Sequence, residues 1–183
     1  MTRLTAAIRS FLTYSTLTRV RCFSFSPPTT HQLGHGSYST VFLAKHRMSQ
    51  RHYTVKRIDR KYLNGNDAVA VHDEISTLQQ LKDCPKIVTI QEVYEEPDYG
   101  YVVIERLSGG NLLERISMKE SYTEVDTKKI FANLLSGVLY CHDRRIANRA
   151  LHADTIFLVV SPHLVELSYR WKLSFVSLCL LHH

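Results

Sequence analysis

Residues 33–46 read LGHGSYSTVFLAKH, with two glycines one residue apart, then small hydroxyl residues, then an apolar run closed by a basic pair. Glycine has no Cβ, so a loop built this way lets backbone N–H groups approach a phosphate oxygen with no side chain between them. The same letters suit a tight hairpin turn, and the stretch alone does not choose between the two readings. The residues downstream of it decide. Residues 41–44 and 52–58 read as neighbouring strands joined by the polar turn 46–51, and residues 67–81 carry Val71, Ile75, Leu78 and Leu81 near helical spacing, ended by Cys84-Pro85. Two more strands are expected at 87–94 and 101–105, across the turn-rich Glu95-Glu96-Pro97-Asp98. The order is strand, strand, strand, helix, strand, strand. After Ser108-Gly109-Gly110 the pattern turns helical, with Thr123 and Asp126 as a capping pair and a wide apolar face of Ile130, Phe131, Leu134, Leu135, Val138 and Leu139.

The 183 residues suffice for one domain with a real core. The net charge of +6 is unevenly placed: nine of the 23 Lys and Arg residues precede Asp59, while all 17 acidic residues lie at or beyond it. The remainder, 14 basic against 17 acidic, is mildly acidic, so no nucleic-acid partner is inferred. Cys22, Cys84, Cys141 and Cys179 are far apart and form no CxxC pair, which argues against a zinc site or a disulfide framework. No apolar stretch approaches the roughly 18 residues of a spanning helix, so no membrane span is expected. The apolar segment 173–181 is short and reads as a core strand or an unnatural chain end, with a membrane anchor as the alternative.

The element order and several motifs in register together resemble a eukaryotic protein kinase, most like the calmodulin-dependent Ser/Thr group, from about Leu33 to Leu158. Gly34-His35-Gly36-Ser37-Tyr38-Ser39-Thr40-Val41 fits G-x-G-x-x-G-x-V with Ser39 in the third glycine position. Tyr53-Thr54-Val55-Lys56 stands where the family has V-A-I-K, whose lysine holds the α and β phosphates. By the same resemblance Glu74 is the helix glutamate that pairs with that lysine, and Ile104 lines the back of the adenine pocket. The backbones of Glu105 and Leu107 would bind the adenine edge. Thr54 replaces the usual alanine above the base, and Asn111 replaces a glutamate often used on the ribose.

The resemblance also locates what the chain lacks. In YCHDRRIANRALHADTIFL, residues 140–158, the family's H-R-D-L-K-x-x-N falls on 148–155. Arg149 and Leu151 are kept, whereas Ala150 stands at the catalytic aspartate, His152 at the lysine and Thr155 at the metal-binding asparagine. Tyr169-Arg170-Trp171 falls where Asp-Phe-Gly should stand. An alanine methyl cannot accept a hydroxyl proton, and Asp154 sits one residue before the metal position. The implied fold is α+β and protein-kinase-like: a five-stranded N-lobe with one helix over 31–107, a truncated, mainly helical C-lobe over 108–160, and a non-family tail over 161–183. The implied function is a pseudokinase that binds ATP through Gly34, Gly36, Ser37, Ser39, Val41, Lys56, Glu74, Glu105 and Leu107, without protein ligands for magnesium. Its exposed C-lobe face would bind another protein. The alternatives are a divergent active Ser/Thr kinase and a fragment with no function of its own.

Residues 1–30 contain Arg3, Arg9, Arg19 and Arg21, no acid and many Ser and Thr, with Leu4, Ile8, Phe11 and Leu12 on one helical face. This resembles a mitochondrial presequence, and Arg21-Cys22-Phe23-Ser24 resembles a matrix-processing site. The alternatives are a disordered basic arm or a misassigned first exon, with the protein then cytoplasmic, and Pro27-Pro28 marks the boundary in every case. Fused to a fluorescent reporter, residues 1–30 should direct it to mitochondria; diffuse cytosolic signal would discard the presequence in favour of the arm.

Overall fold

The computed structural model describes residues 23–25, 32–118, 122–148, 151–161, 164–171 and 178–180. The chain divides into two units, Met1–Leu63 with Gln91–Arg106, and Asn64–Ile90 with Leu107–His183. Most of the presequence reading, and both Arg149 and Ala150, lie outside the described residues.

The first unit is an antiparallel sheet. Its strands are β1 (Phe23–Phe25), β2 (Gln32–His35), β3 (Ser39–His46), β4 (His52–Asp59), β5 (Ile90–Glu95) and β6 (Tyr99–Glu105). The order is β1-β3-β4-β6-β5, with β2 also paired to β3. The five strands expected from the sequence are therefore joined by a sixth, in which Phe23, Ser24 and Phe25 pair with His46, Lys45 and Ala44. The expected turn at 46–51 closes through Gln50 N–H donating to the His46 carbonyl at 2.8 Å, with Gln50 in the left-handed region at φ 57°. At the other turn Glu96 N–H donates to Tyr99 O at 2.7 Å. Alternation along the strands gives the sheet two faces. One carries the cluster Ala44, Val55, Tyr94 and Val103, flanked by Tyr53 and Tyr101. The Tyr101 hydroxyl donates to Glu96 at 3.0 Å, and burial, then this hydrogen bond, push its pKa up to about 12. Farther along the same face the Arg57 guanidinium lies between the rings of Phe42 and Tyr99, 5.2 and 4.8 Å from their centroids.

The second unit contains α1 (Gly65–Gln80), α2 (Leu112–Met118), α3 (Glu124–His142), β7 (Ile146–Asn148), β8 (Ile156–Ser161), β9 (Leu164–Trp171) and β10 (Leu178–Leu180). Capping decides where each long helix starts. Asn64 accepts from Asp67 N–H at 2.9 Å and Thr123 accepts from Asp126 N–H at 3.1 Å, and each aspartate reaches back to its partner's N–H. Val71, Glu74 and Leu78 share the buried face of α1, which ends before Cys84, where Leu81 N–H donates to Thr77 O at 3.1 Å. Cys84 and Cys141 are buried free thiols, and burial, then the proximity of Cys84, push the Cys141 thiol up to about 11. The short apolar run near the chain end contributes β10, antiparallel to β7. Among the described residues no helix is long and apolar enough to cross a membrane.

The α1 capping box is the feature to test for stability. Asn64→Ala should lower the unfolding free energy by about 1 kcal/mol, whereas Asn64→Gly should cost only about a few tenths. Urea denaturation midpoints measure both, and equal midpoints for wild type and Asn64→Ala would show that the box contributes nothing.

Candidate functional site

In antiparallel pairing, residues directly opposite one another project from the same side of the sheet. Val41 on β3 is opposite Lys56 on β4, which is opposite Val102 on β6; Leu43, Thr54 and Ile104 form the next row, and Ser39, Ile58 and Gly100 the one before. Ser39, Val41, Lys56 and Ile104 therefore share the face opposite the tyrosine cluster. Leu43 and Val102 belong to the same face, a membership that their period-two spacing from Val41 and Ile104 makes readable in the sequence. Gly34 on β2 is opposite Val41, after a bulge that shifts the register between Gln32 and Gly34.

The loop between β2 and β3 closes through Gly36 N–H donating to Ser39 O at 2.7 Å. His35 Nδ1 and Thr40 Oγ1 hydrogen-bond across it at 3.3 Å. A Cβ at Gly34 would meet nothing within 4 Å, and one at Gly36 would meet Ser39 Oγ at 3.1 Å. Neither glycine has positive φ, so what they provide here is an unobstructed backbone rather than an unusual conformation. Gly36 and Ser37 are exposed at the tip.

Lys56 and Glu105 lie in the sheet unit, whereas Glu74, on the buried face of α1, and Leu107 lie in the second unit. Glu105 is the last residue of β6 and pairs with Tyr53, while Leu107 comes next but one, outside any helix or strand; both are half-buried. Beyond them Gly110 turns the chain with φ 73°, and Asn111 immediately precedes α2. The Asn111 side chain accepts from Glu114 N–H at 2.7 Å, and Glu114 accepts from Asn111 N–H at 3.2 Å. Asn111 is thus committed as a helix cap, a role that its N-x-x-E spacing makes legible.

The segment 148–155, read from the sequence as the counterpart of H-R-D-L-K-x-x-N, lies in the second unit. Asn148 ends β7, and the turn from His152 to Thr155 closes through Thr155 N–H donating to His152 O at 3.0 Å. The Thr155 hydroxyl donates to the same carbonyl at 2.8 Å and accepts from His152 N–H at 3.1 Å. Both its hydrogen-bonding directions are used locally. Asp154 is exposed, and the Ala153 carbonyl accepts from Leu113 N–H at 3.1 Å, tying this turn to the start of α2. Tyr169, Arg170 and Trp171 fall within β9, in register with Leu158, Phe157 and Ile156 of β8. Among the described residues no group of three or more His, Cys, Asp or Glu side chains could hold a metal ion.

The pattern of the family described as protein kinase domain matches residues 28–168. Calcium/calmodulin-dependent protein kinase type 1B of Rattus norvegicus is 35% identical over 125 residues, 68% of this chain and 36% of that protein. CBL-interacting protein kinase 17 of Oryza sativa is 33% identical over 127 residues, covering 69% of this chain and 28% of the relative. Calcium-dependent protein kinase 5 of Plasmodium berghei is 34% identical over 131 residues, 72% of this chain and 23% of its own length. The chain thus spans about a third or less of these relatives. With the expected succession of strands and helix in place, the chain belongs to the protein kinase domain family.

Proposed function

We propose that this chain binds ATP on the Lys56 face of its sheet and has lost phosphoryl transfer, acting as a pseudokinase through binding rather than chemistry. The observation that carries the reading is Ala150 in the stretch 148–155, where the resemblance to the kinase motif would set the catalytic aspartate. A methyl group neither takes the hydroxyl proton nor orients the nucleophile, and acid–base assistance of this kind contributes about 10² to 10⁴ in rate. Nucleotide binding is supported by the row Val41, Lys56 and Val102 and by the open backbone at Gly34 and Gly36. In this reading Ser37 and Ser39 flank the phosphates and the backbone of Glu105 takes the adenine edge.

Magnesium needs hard oxygen ligands, normally from the catalytic-loop asparagine and the Asp-Phe-Gly aspartate. Thr155 stands at the first position with its hydroxyl engaged by His152, and Tyr169 stands at the second. These residues do not fit the metal. The names of the relatives, all kinases, favour a second reading in which the chain is a divergent active Ser/Thr kinase.

Titration with ATP should give an affinity that changes by less than about twofold when magnesium is added. Lys56→Met should weaken it about tenfold or more, equivalent to about 1.4 kcal/mol. Gly36→Ala should leave the melting curve unchanged, since only the Ser39 side chain has to move, while reducing ATP affinity. Strong magnesium dependence, or an unaltered affinity in Lys56→Met, would overturn the reading. Lys56-dependent phosphate transfer to a Ser/Thr peptide near the ordinary range of about 1 to 100 s⁻¹ would establish the active kinase instead.

A further inference from the structure

Counted from the glycine loop, the Lys56 face presents three rows, all within the sheet unit: Ser39, Ile58 and Gly100; then Val41, Lys56 and Val102; then Leu43, Thr54 and Ile104. Two residues along a strand advance about 6.8 Å, so the third row lies one such step beyond Lys56. A polyphosphate seated at the open backbone of Gly34 and Gly36 and reaching Lys56 covers the first two rows. Whatever it carries at its far end lies over the third.

That third row is chemically mixed. Leu43 and Ile104 are half-buried and apolar, which suits the flat face of an aromatic base. Thr54 stands between them on β4 and is 9% exposed. Among the described residues no group hydrogen-bonds its hydroxyl, and the oxygen is not sealed from water. A base laid on this row removes that water and offers a π face in return, which leaves the hydroxyl without a full partner. A hydroxyl in that state costs binding free energy, whereas the threonine methyl beside it does not. The branched side chain also has little rotamer freedom with which to turn the oxygen away.

We propose that Thr54 sets the ligand preference of this face. Its hydroxyl holds down affinity for the base and leaves affinity for the polyphosphate untouched, so the protein separates ATP from a base-free triphosphate only weakly. The inference rests on the nucleotide binding proposed at Lys56 and adds to it which part of the ligand is penalised.

Titration calorimetry of the full chain with ATP and with inorganic tripolyphosphate tests this in wild type, Thr54→Val, Thr54→Ser and Lys56→Met. Thr54→Val keeps the branched shape and removes the hydroxyl; it should raise ATP affinity at least about fivefold and leave tripolyphosphate affinity unchanged. Thr54→Ser keeps the hydroxyl and removes the methyl, so it should bind ATP no more tightly than wild type. An unchanged ATP affinity in Thr54→Val, an equal gain in Thr54→Ser, or a parallel gain for tripolyphosphate would each overturn the inference. The two levels fail differently. Binding of both ligands that survives Lys56→Met would remove the nucleotide reading and this inference with it. Binding that depends on Lys56 but does not respond to Thr54→Val would remove this inference alone.

Discussion

The register of β4 against β3 and β6 is the constraint on which the first unit depends. It sets Val41, Lys56 and Val102 in one row and leaves Val55 and Val103 for the opposite face. Side chains alternate with a period of two, so a slip of one residue would send Lys56 into the tyrosine cluster and bring Val55 out in its place. Burying an unpaired ammonium is far more costly than exposing a valine, so the charge itself helps specify the pairing. Placement of Lys56 on one face and formation of an apolar core on the other are thus two outcomes of the same hydrogen-bond ladder.

Much of this was legible in the sequence because period-two alternation and capping spacings are local signals. The strands around Lys56 and the Thr123–Asp126 cap need only a few neighbouring residues to be recognised. The Asn64–Asp67 and Asn111–Glu114 boxes have the same spacing, but each lies beside glycines that read first as turn. The strand at Phe23–Phe25 was hidden for another reason: its residues sit inside an Arg-rich, acid-free segment, and pairing with β3 is a long-range event that composition does not report. Which half of the α3 apolar face is buried was equally beyond the helical pattern. The pattern supplies the width of the stripe, and only packing within the unit decides that Ile130 goes in and Leu135 stays out.

Two substitutions relative to the kinase pattern show small polar residues taking up local work. Asn111 caps α2, and Thr155 closes a four-residue turn with its hydroxyl. In both places the side chain bonds to backbone within three residues. Ser, Thr and Asn readily make such short-range bonds. Each of these side chains thereby supplies a hydrogen bond that holds its own loop.

The pairing of Phe23–Phe25 with Ala44–His46 makes the same few residues both the margin of a candidate leader and the margin of a sheet. A protease cutting before Phe23 would leave the added strand attached, whereas one cutting after Phe25 would uncover backbone donors and acceptors on the β3 end. An uncovered edge is a template for another strand. The site of a single cleavage would then decide whether the mature chain carries its own edge cover or must find one elsewhere.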